Sequence, residues 1–186
     1  MRKVILLLAV VISILNCRKS GIEKELGCDS SPKIGETKEM RDIKKKFKLV
    51  VPKNWETQLY YDDFKSQIYA ADTTKQLSET YILDVAWHQG ELTINDALAQ
   101  TVADTLSFKE QLTTVKSGFG KFKKKPSFWN LSQGKRSGRL YTFVQLYLKT
   151  ENDEYFLMTT KLYGNINVDA RLCESLAMFN RIKIIE

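Results

Sequence analysis

His88 is the only histidine of this 186-residue chain and the first residue to consider for chemistry. It ends a predicted strand, and Asp84 lies four residues earlier on the same strand face, because side chains alternate between the two faces of a strand. A carboxylate that orients an imidazole is one component of general acid–base catalysis. No Ser or Cys stands at a spacing that would complete a nucleophilic triad, so the sequence predicts no catalytic residues. An enzyme that uses His88 with Asp84 remains an alternative.

Two pairs of acidic residues, Asp62-Asp63 and Asp153-Glu154, are further candidates for a catalytic or metal-binding role. Both pairs lie in predicted turns, where Asp is favoured because its side chain accepts backbone hydrogen bonds. Neither pair matches the calcium-loop pattern, and one histidine cannot by itself form a His-based metal site. We therefore expect no metal and no cofactor.

Cys17 directly follows a short apolar segment. Met1-Arg2-Lys3 is basic and residues 4–15 are almost entirely apolar, which is the order of a secretory signal peptide. The apolar segment is shorter than the roughly 20 residues that span a bilayer. A cysteine at this position predicts a lipobox with cleavage after Asn16 and lipidation of Cys17, although Gly or Ala is usual where Asn16 stands. A plain signal peptide with an incidental cysteine is the alternative.

The predicted lipid determines the expected location of the protein. Two or more acyl chains on one cysteine anchor a protein stably to a membrane. Arg18 follows Cys17, whereas an Asp at that position retains lipoproteins in the inner membrane of enteric bacteria. We therefore expect a lipid anchor in the outer membrane of the cell envelope, with the domain facing the periplasm. Export to the envelope argues against a nucleic-acid partner.

The other two cysteines, Cys28 and Cys173, form an even pair in a chain predicted to be exported. Disulfides form and persist in oxidising compartments. We predict a disulfide that ties the N-terminal segment to the last helix, with two free thiols as the alternative. Neither residue belongs to a Cys-x-x-Cys motif, so no redox-active site is indicated.

A basic-aromatic segment at residues 121–129 is the most suggestive surface feature. It could build a patch for an anionic lipid, lipopolysaccharide, another polyanion or an acidic protein. The alternative is a solvated Lys-rich turn beside core aromatic residues. The predicted patch consists of Lys121, Lys123, Lys124, Lys125, Trp129, Lys135, Arg136 and Arg139.

Hydrophobic periodicity predicts an antiparallel α+β domain. Residues 139–150 are apolar on both strand faces, which is typical of a central strand covered on both sides. Thr93 starts a capping-box pattern for one helix, and Asn167 is the predicted N-cap of a second helix that ends near Phe179. The predicted strands cover residues 47–51, 58–61, 67–71, 81–88, 111–119, 124–132, 139–150 and 155–163, with a short edge strand near 182–185.

The chain divides into three parts by composition. Residues 1–16 form the predicted signal peptide, residues 17–46 form a lipidated cysteine and a polar tether, and residues 47–186 form a single globular domain. The formal charge of +7 falls to +5 when Arg2 and Lys3 are removed with the signal peptide. A basic surface attracts acidic partners and anionic membranes.

The start of the predicted domain resembles a known family. Residues 47–55 read Phe-Lys-Leu-Val-Val-Pro-Lys-Asn-Trp, an amphipathic strand followed by Pro52 and Trp55. With the following hairpin, the single mid-domain helix and the C-terminal helix, this segment is similar to the PsbP-like superfamily, which includes the extrinsic P subunit of photosystem II and small bacterial lipoproteins. The resemblance implies an α/β/α sandwich around an antiparallel sheet and a role in binding or assembly. It implies no shared catalytic residues.

Three functions follow as hypotheses from these patterns. The first is a membrane-anchored, non-catalytic lipoprotein that binds a protein partner or assists envelope assembly. The second is binding of an anionic ligand through the basic-aromatic patch. The third is an enzyme that uses His88.

Overall fold

The computed structural model describes residues 21–28 and 34–185. The predicted signal peptide and Cys17 lie outside the described residues. The helices are α1 (Gly21–Glu25), α2 (Asp96–Glu110) and α3 (Val168–Asn180). The strands are β1 (Thr37–Arg41), β2 (Phe47–Pro52), β3 (Glu56–Tyr61), β4 (Lys65–Ala71), β5 (Tyr81–Gln89), β6 (Thr113–Phe122), β7 (Lys125–Arg136), β8 (Arg139–Lys149), β9 (Glu154–Tyr163) and β10 (Lys183–Ile184). No helix in this part of the chain has the length and apolar content needed to cross a bilayer.

Two antiparallel sheets and the helices packed against them form an α+β fold, which confirms the predicted fold class. The large sheet has seven strands in the order β3-β4-β5-β9-β8-β7-β6. The small sheet has the order β1-β2-β10, so the predicted C-terminal edge strand pairs with the first predicted strand of the domain. Strand β8 lies between β9 and β7, as expected from its two apolar faces.

One face of the large sheet, which we call the closed face, carries the main core. The odd-numbered residues of β5 from Tyr81 to Trp87 are all buried there, as their alternation predicts. Strand β2 and helix α3 cover this face. Their buried side chains recur at every second residue in the strand and at every third or fourth residue in the helix. The covering side chains include Phe47, Leu49 and Val51 of β2 and Leu172, Leu176 and Phe179 of α3.

Trp55 is part of the same core. Its ring meets the ring of Tyr81 edge-on, with centroids 5.0 Å apart, and only 4% of Trp55 is exposed. Pro52 is the last residue of β2, and the backbone N–H of Trp55 donates to its carbonyl at 3.1 Å. The Pro-x-x-Trp pattern therefore forms a turn that returns an aromatic ring to the core.

Helix α2 packs on the opposite face of the large sheet, which we call the open face. Val102 and Leu106 of α2 meet Phe128 and Tyr141 in a second, smaller core. The predicted N-cap, Thr93, is wrong. Asn95 is the N-cap, and its Oδ1 accepts the backbone N–H of Leu98 at 3.0 Å, because Asn is at least as good an N-cap as Thr.

Helix α3 begins differently from the prediction. Asn167 occupies the N-cap position in the left-handed conformation (φ 47°), but its side chain makes no capping hydrogen bond. Arg171, only 5% exposed, donates instead to the carbonyls of Thr80 at 2.6 Å, Ile166 at 2.9 Å and Tyr163 at 3.1 Å. A buried cation that satisfies three carbonyls joins α3 to the ends of β5 and β9.

The segment predicted as a polar tether contains two folded elements. Helix α1 buries Ile22 in the main core, and β1 pairs with β2 from Lys48 to Pro52. The predicted disulfide between Cys28 and Cys173 is present, with Cα atoms 5.2 Å apart. The segment has few apolar residues to stabilise it. Its order comes instead from the backbone pairing of β1 with β2 and from the covalent link to α3.

Removal of the disulfide tests how far it stabilises the fold. Cys28 and Cys173 are 145 residues apart, so the bond restricts a long loop in the unfolded chain. We expect Cys28→Ser/Cys173→Ser to lower the free energy of unfolding by about 2–4 kcal/mol, measured by urea denaturation. Equal stability of the variant and the oxidised protein would contradict this expectation.

Candidate functional site

The predicted basic-aromatic patch is divided between the two ends of β7. Lys121, Lys123, Lys124 and Lys125 lie at the turn between β6 and β7, which we call the hairpin tip. Lys135, Arg136 and Arg139 lie at the turn between β7 and β8. Eleven residue steps along a strand separate these turns by about 36 Å. The patch is therefore not a single surface, because the length of β7 separates the first group of basic residues from the second.

The lysines of the hairpin tip differ in their contacts. Lys123 donates to the carbonyl of Asn180 at 2.9 Å, and Lys125 contacts Glu151 at 3.3 Å. Burial lowers the pKa of the Lys123 ammonium. Lys121 and Lys124 are exposed and have no ion pair within the described ranges. These two side chains are the part of the predicted patch that is available to an anion.

Trp129 is not a surface residue. It is 4% exposed, and its indole lies over Gly118 of the neighbouring strand, where a Cβ would come within 3.1 Å of the ring. Its place in the predicted patch is wrong, because Trp129 points to the closed face, opposite to Phe128. At the far end of β7, Arg136 pairs with Glu110 and lies 4.9 Å from the ring centre of Tyr141.

His88 and Asp84 are both on the open face but do not interact. Four residue steps separate them by about 13 Å. The His88 imidazole stacks on Tyr155, its cross-strand neighbour, with ring centroids 4.9 Å apart. Burial and the positive charge of Lys65 lower the pKa of His88 to about 4, so the ring is neutral at neutral pH. The carboxylate–histidine pair that the third hypothesis needs is not formed.

A cleft of about 560 Å³ lies on the open face over β3, β4 and the start of β5. Helix α2 packs on the other half of this face, against β7, β8 and β9. Gln58, Tyr60, Gln67 and Tyr69 line the cleft. They come from two neighbouring strands and share one face, because Tyr60 is paired with Gln67 and Gln58 with Tyr69. The lining therefore combines amide groups with phenol rings.

One polar residue from each strand forms a row across the open face. The cross-strand register aligns these residues in the direction perpendicular to the strands. Thr159 Oγ1 and Gln145 Oε1 in this row are buried and have no hydrogen-bond partner within the described residues. In strand order the row consists of Gln58, Tyr69, Asp84, Thr159, Gln145, Asn130 and Ser117.

Asp84 organises the part of the row that adjoins the cleft. It accepts a hydrogen bond from Gln67, and Lys161 Nζ lies 3.8 Å from its Oδ2. The same ammonium lies 5.1 Å from the ring centre of Tyr69. Burial and the negative charge of Asp84 raise the pKa of Tyr69. Tyr69 is therefore a neutral phenol at the floor of the cleft, suited to hydrogen bonding and to apolar contact.

Strand β3 borders the cleft with exposed apolar side chains. Leu59 is 38% exposed, Tyr60 is 51% exposed, and Tyr61 and Phe64 are each 65% exposed. Tyr60 meets Tyr69 edge-on with centroids 5.5 Å apart. Clusters of exposed aromatic residues are typical of protein-binding surfaces.

Sequence reasoning did not identify this cleft or its border. Leu59-Tyr60-Tyr61 is a run of three consecutive apolar residues, which places apolar side chains on both faces of β3. On an edge strand, such a run indicates either a covered edge or a binding surface. The position of β3 at the edge becomes known only from the strand order.

Comparison with known proteins finds structures of similar fold but no match by sequence. No protein-family model and no curated protein sequence matches this chain. The solution structure of cyanobacterial PsbP from Synechocystis is similar, with a TM-score of 0.56 and 10% sequence identity over 84% of this chain and 98% of the other. The chain has a PsbP-like fold, which confirms the fold expected from the resemblance.

Two further structures have a similar fold. The Ran-binding protein Mog1p of Saccharomyces cerevisiae has a TM-score of 0.52 and 10% identity over 81% of this chain and 96% of its own. A protein of Bacteroides thetaiotaomicron has a TM-score of 0.50 and 10% identity over 82% of this chain and 50% of its own. At such identities the likeness concerns the fold alone.

The pKa of His88 is directly measurable because the chain has one histidine. We expect an NMR titration of its imidazole to give a pKa of about 4, below the ordinary 6.5. As the pH falls through 6.5, the unfolded chain then binds a proton before the folded chain does. The unfolding free energy should therefore decrease from pH 6.5 towards pH 4, and less so in His88→Gln. A measured pKa at or above 6.5 would contradict the burial of the imidazole.

Proposed function

We propose that this chain is a membrane-anchored lipoprotein of the cell envelope whose PsbP-like domain binds a protein partner without catalysis. The partner binds at the cleft of the open face and along the edge of β3. One observation carries the proposal: β3 presents Tyr60 and Tyr61 in the lining of a cleft of about 560 Å³ and exposes Leu59 on its other face. The lipid is attached to Cys17 and holds the domain at the outer membrane, on the periplasmic side.

The edge of β3 supports binding of an extended segment. Strand β3 is the first strand in the sheet order, so within the described residues no strand pairs with its outer edge. Proteins usually protect such an edge with charges, Pro or a bulge. Residues 57–61 read Thr-Gln-Leu-Tyr-Tyr, with no charge and no proline. An edge that carries no charge between Glu56 and Asp62 is suited to the addition of a strand from a partner.

The chemistry of the cleft specifies the partner further. An added strand places alternate side chains on the open face, where the Tyr60 and Tyr69 rings offer apolar contact and Gln58 offers an amide. Glu56 and Asp62 outnumber Lys65 in the lining, although the whole chain is basic. We therefore assign the site to an extended segment of an envelope protein that carries an aromatic or aliphatic residue and a Lys or Arg.

The structural relatives are compatible with a binding role. Mog1p is a Ran-binding protein and therefore has a protein partner. This analogy concerns the fold and does not transfer the partner or the binding surface. The separation of His88 from Asp84 disfavours the enzyme hypothesis.

The binding site is tested with a photocrosslinking residue in place of Tyr60, incorporated in the native cells. We expect a crosslink to one extended segment of one envelope protein, identified by mass spectrometry. The additional substitution Leu59→Lys should reduce the crosslink at least about tenfold, because a lysine on an edge strand opposes pairing with another strand.

The matched control places the same crosslinker at Tyr60 in a Phe108→Lys variant. Phe108 is 84% exposed and lies on α2, away from β3, so this substitution also replaces an exposed apolar residue by lysine. The crosslink should persist in the control. Equal loss in both variants, or no loss with Leu59→Lys, would refute the assigned site.

The lipid anchor is tested separately. We expect the peptide that begins at Cys17 to carry the mass of acyl chains, and Cys17→Ser to move the protein out of the membrane fraction. Cys28→Ser is the control, since it removes a cysteine without removing the lipid. A Cys17→Ser protein that stays fully in the membrane fraction would contradict lipid anchoring.

A further inference from the structure

We infer that the hairpin tip lies against the anionic surface of the membrane that carries the lipid anchor. The inference rests on the proposed lipidation of Cys17 and deepens it, since it assigns which end of the domain faces the lipid headgroups. The occupant of this surface is the headgroup layer of an anionic phospholipid membrane.

Helix α1 brings the start of the domain to the β6 edge of the sheet. Gly21 and Ile22 line a small pocket of about 100 Å³ together with Gly120 and Lys121. Lys116 Nζ on β6 lies 3.4 Å from Glu25 Oε2 of α1 and also donates to the Glu25 carbonyl. The first described residue of the chain is therefore held beside the strand that leads into the hairpin tip.

The reach of the chain places the anchor close to this edge. Four residue steps separate Cys17 from Gly21, and a fully extended chain covers at most about 14 Å over that length. Two of the intervening residues, Arg18 and Lys19, are basic. A lipid on Cys17 therefore holds Gly21, at the β6 edge, within about 14 Å of the membrane surface, which is about one to two Debye lengths.

The exposed charges near this edge are predominantly positive. Lys121 and Lys124 are exposed without an ion pair within the described residues, and Arg181 is exposed next to Asn180, the residue that Lys123 contacts. Of the nearby acids, Glu25 pairs with Lys116, whereas Glu23 accepts a hydrogen bond from the neutral amide of Asn180 at 2.8 Å and keeps its negative charge. Each basic residue near an anionic bilayer strengthens binding about fivefold.

The backbone conformation of the hairpin tip supports a functional role for Lys123 and Lys124. Lys123 and Lys124 form a two-residue hairpin loop with φ values of 49° and 67°, a conformation that favours Asn and Gly. The neighbouring hairpin between β7 and β8 uses Ser137 and Gly138 at φ 51° and 76°. Two consecutive lysines in a left-handed turn are locally unfavourable, and such departures concentrate at functional positions.

This orientation leaves the proposed partner site free. Strands β6 and β3 are the two ends of the seven-stranded order, so six strand spacings separate them by about 29 Å. The cross-strand register places Tyr61 and the turn after it at the same end of the sheet as the hairpin tip. The edge of β3 and its cleft therefore stay clear of the membrane when the β6 edge is the side that lies nearest to it. Both interactions can therefore occur in one molecule.

The test uses a chain of residues 17–186 with the disulfide intact, so that Cys17 is the one free thiol. A single myristoyl chain is attached chemically to Cys17, because one chain gives weak and reversible membrane binding. Binding is measured by co-sedimentation with vesicles of phosphatidylcholine alone or with about one third phosphatidylglycerol. The result does not depend on whether cells lipidate Cys17, so it is separate from the test of the anchor.

We expect Lys121→Gln/Lys124→Gln to weaken binding to the anionic vesicles at least about tenfold and to leave binding to neutral vesicles unchanged. The matched control, Lys135→Gln/Arg139→Gln, removes the same two charges from the exposed far end of β7 and should weaken binding less than about twofold. Equal weakening by both variants would show attraction by net charge alone and would overturn the inference. So would an unchanged affinity of the hairpin-tip variant.

Discussion

The large sheet is apolar on both faces, and the need to cover both faces determines the rest of the structure. On the closed face, β2, α1 and α3 cover the sheet and bury the main core. Within the described residues α2 is the one helix on the open face. It has 15 residues and is about 22 Å long and about 10 Å wide. A sheet of seven strands is about 29 Å across. One helix cannot cover it, so the strands farthest from α2 carry a cleft and exposed tyrosines.

The polar row continues onto the half of the open face that α2 leaves uncovered. Asp84 accepts a hydrogen bond from Gln67, which lines the cleft, and lies 3.8 Å from Lys161. Apolar contact is concentrated at the edge, in Tyr60 and Tyr69. The same distribution suits a partner that brings one apolar side chain and a new strand. It suits a small-molecule enzyme less well, because the only imidazole is neutral and stacked on Tyr155.

The N-terminal segment links the two proposed interactions. The Cys28–Cys173 bond and the contacts of Glu25 hold α1 against β6 and α3. These contacts fix the position of α1 relative to the sheet. The anchor proposed for the β6 edge and the partner site proposed for the β3 edge are separated by the width of the sheet, about 29 Å.

The sequence alone determined most of the described strands, the helices α2 and α3, the burial pattern of β5 and β8, the Cys28–Cys173 bond as the favoured alternative and the PsbP-like resemblance at Phe47 to Trp55. These features depend on local periodicity, turn chemistry and cysteine number. It did not determine the folding of residues 21–28 and 37–41, since their order comes from pairing with distant elements. The division of the basic residues between two turns, and the separation of His88 from Asp84, follow from strand length and geometry. The edge position of β3 depends on the strand order of the sheet, which only the tertiary structure decided, because long-range pairing has no local signal.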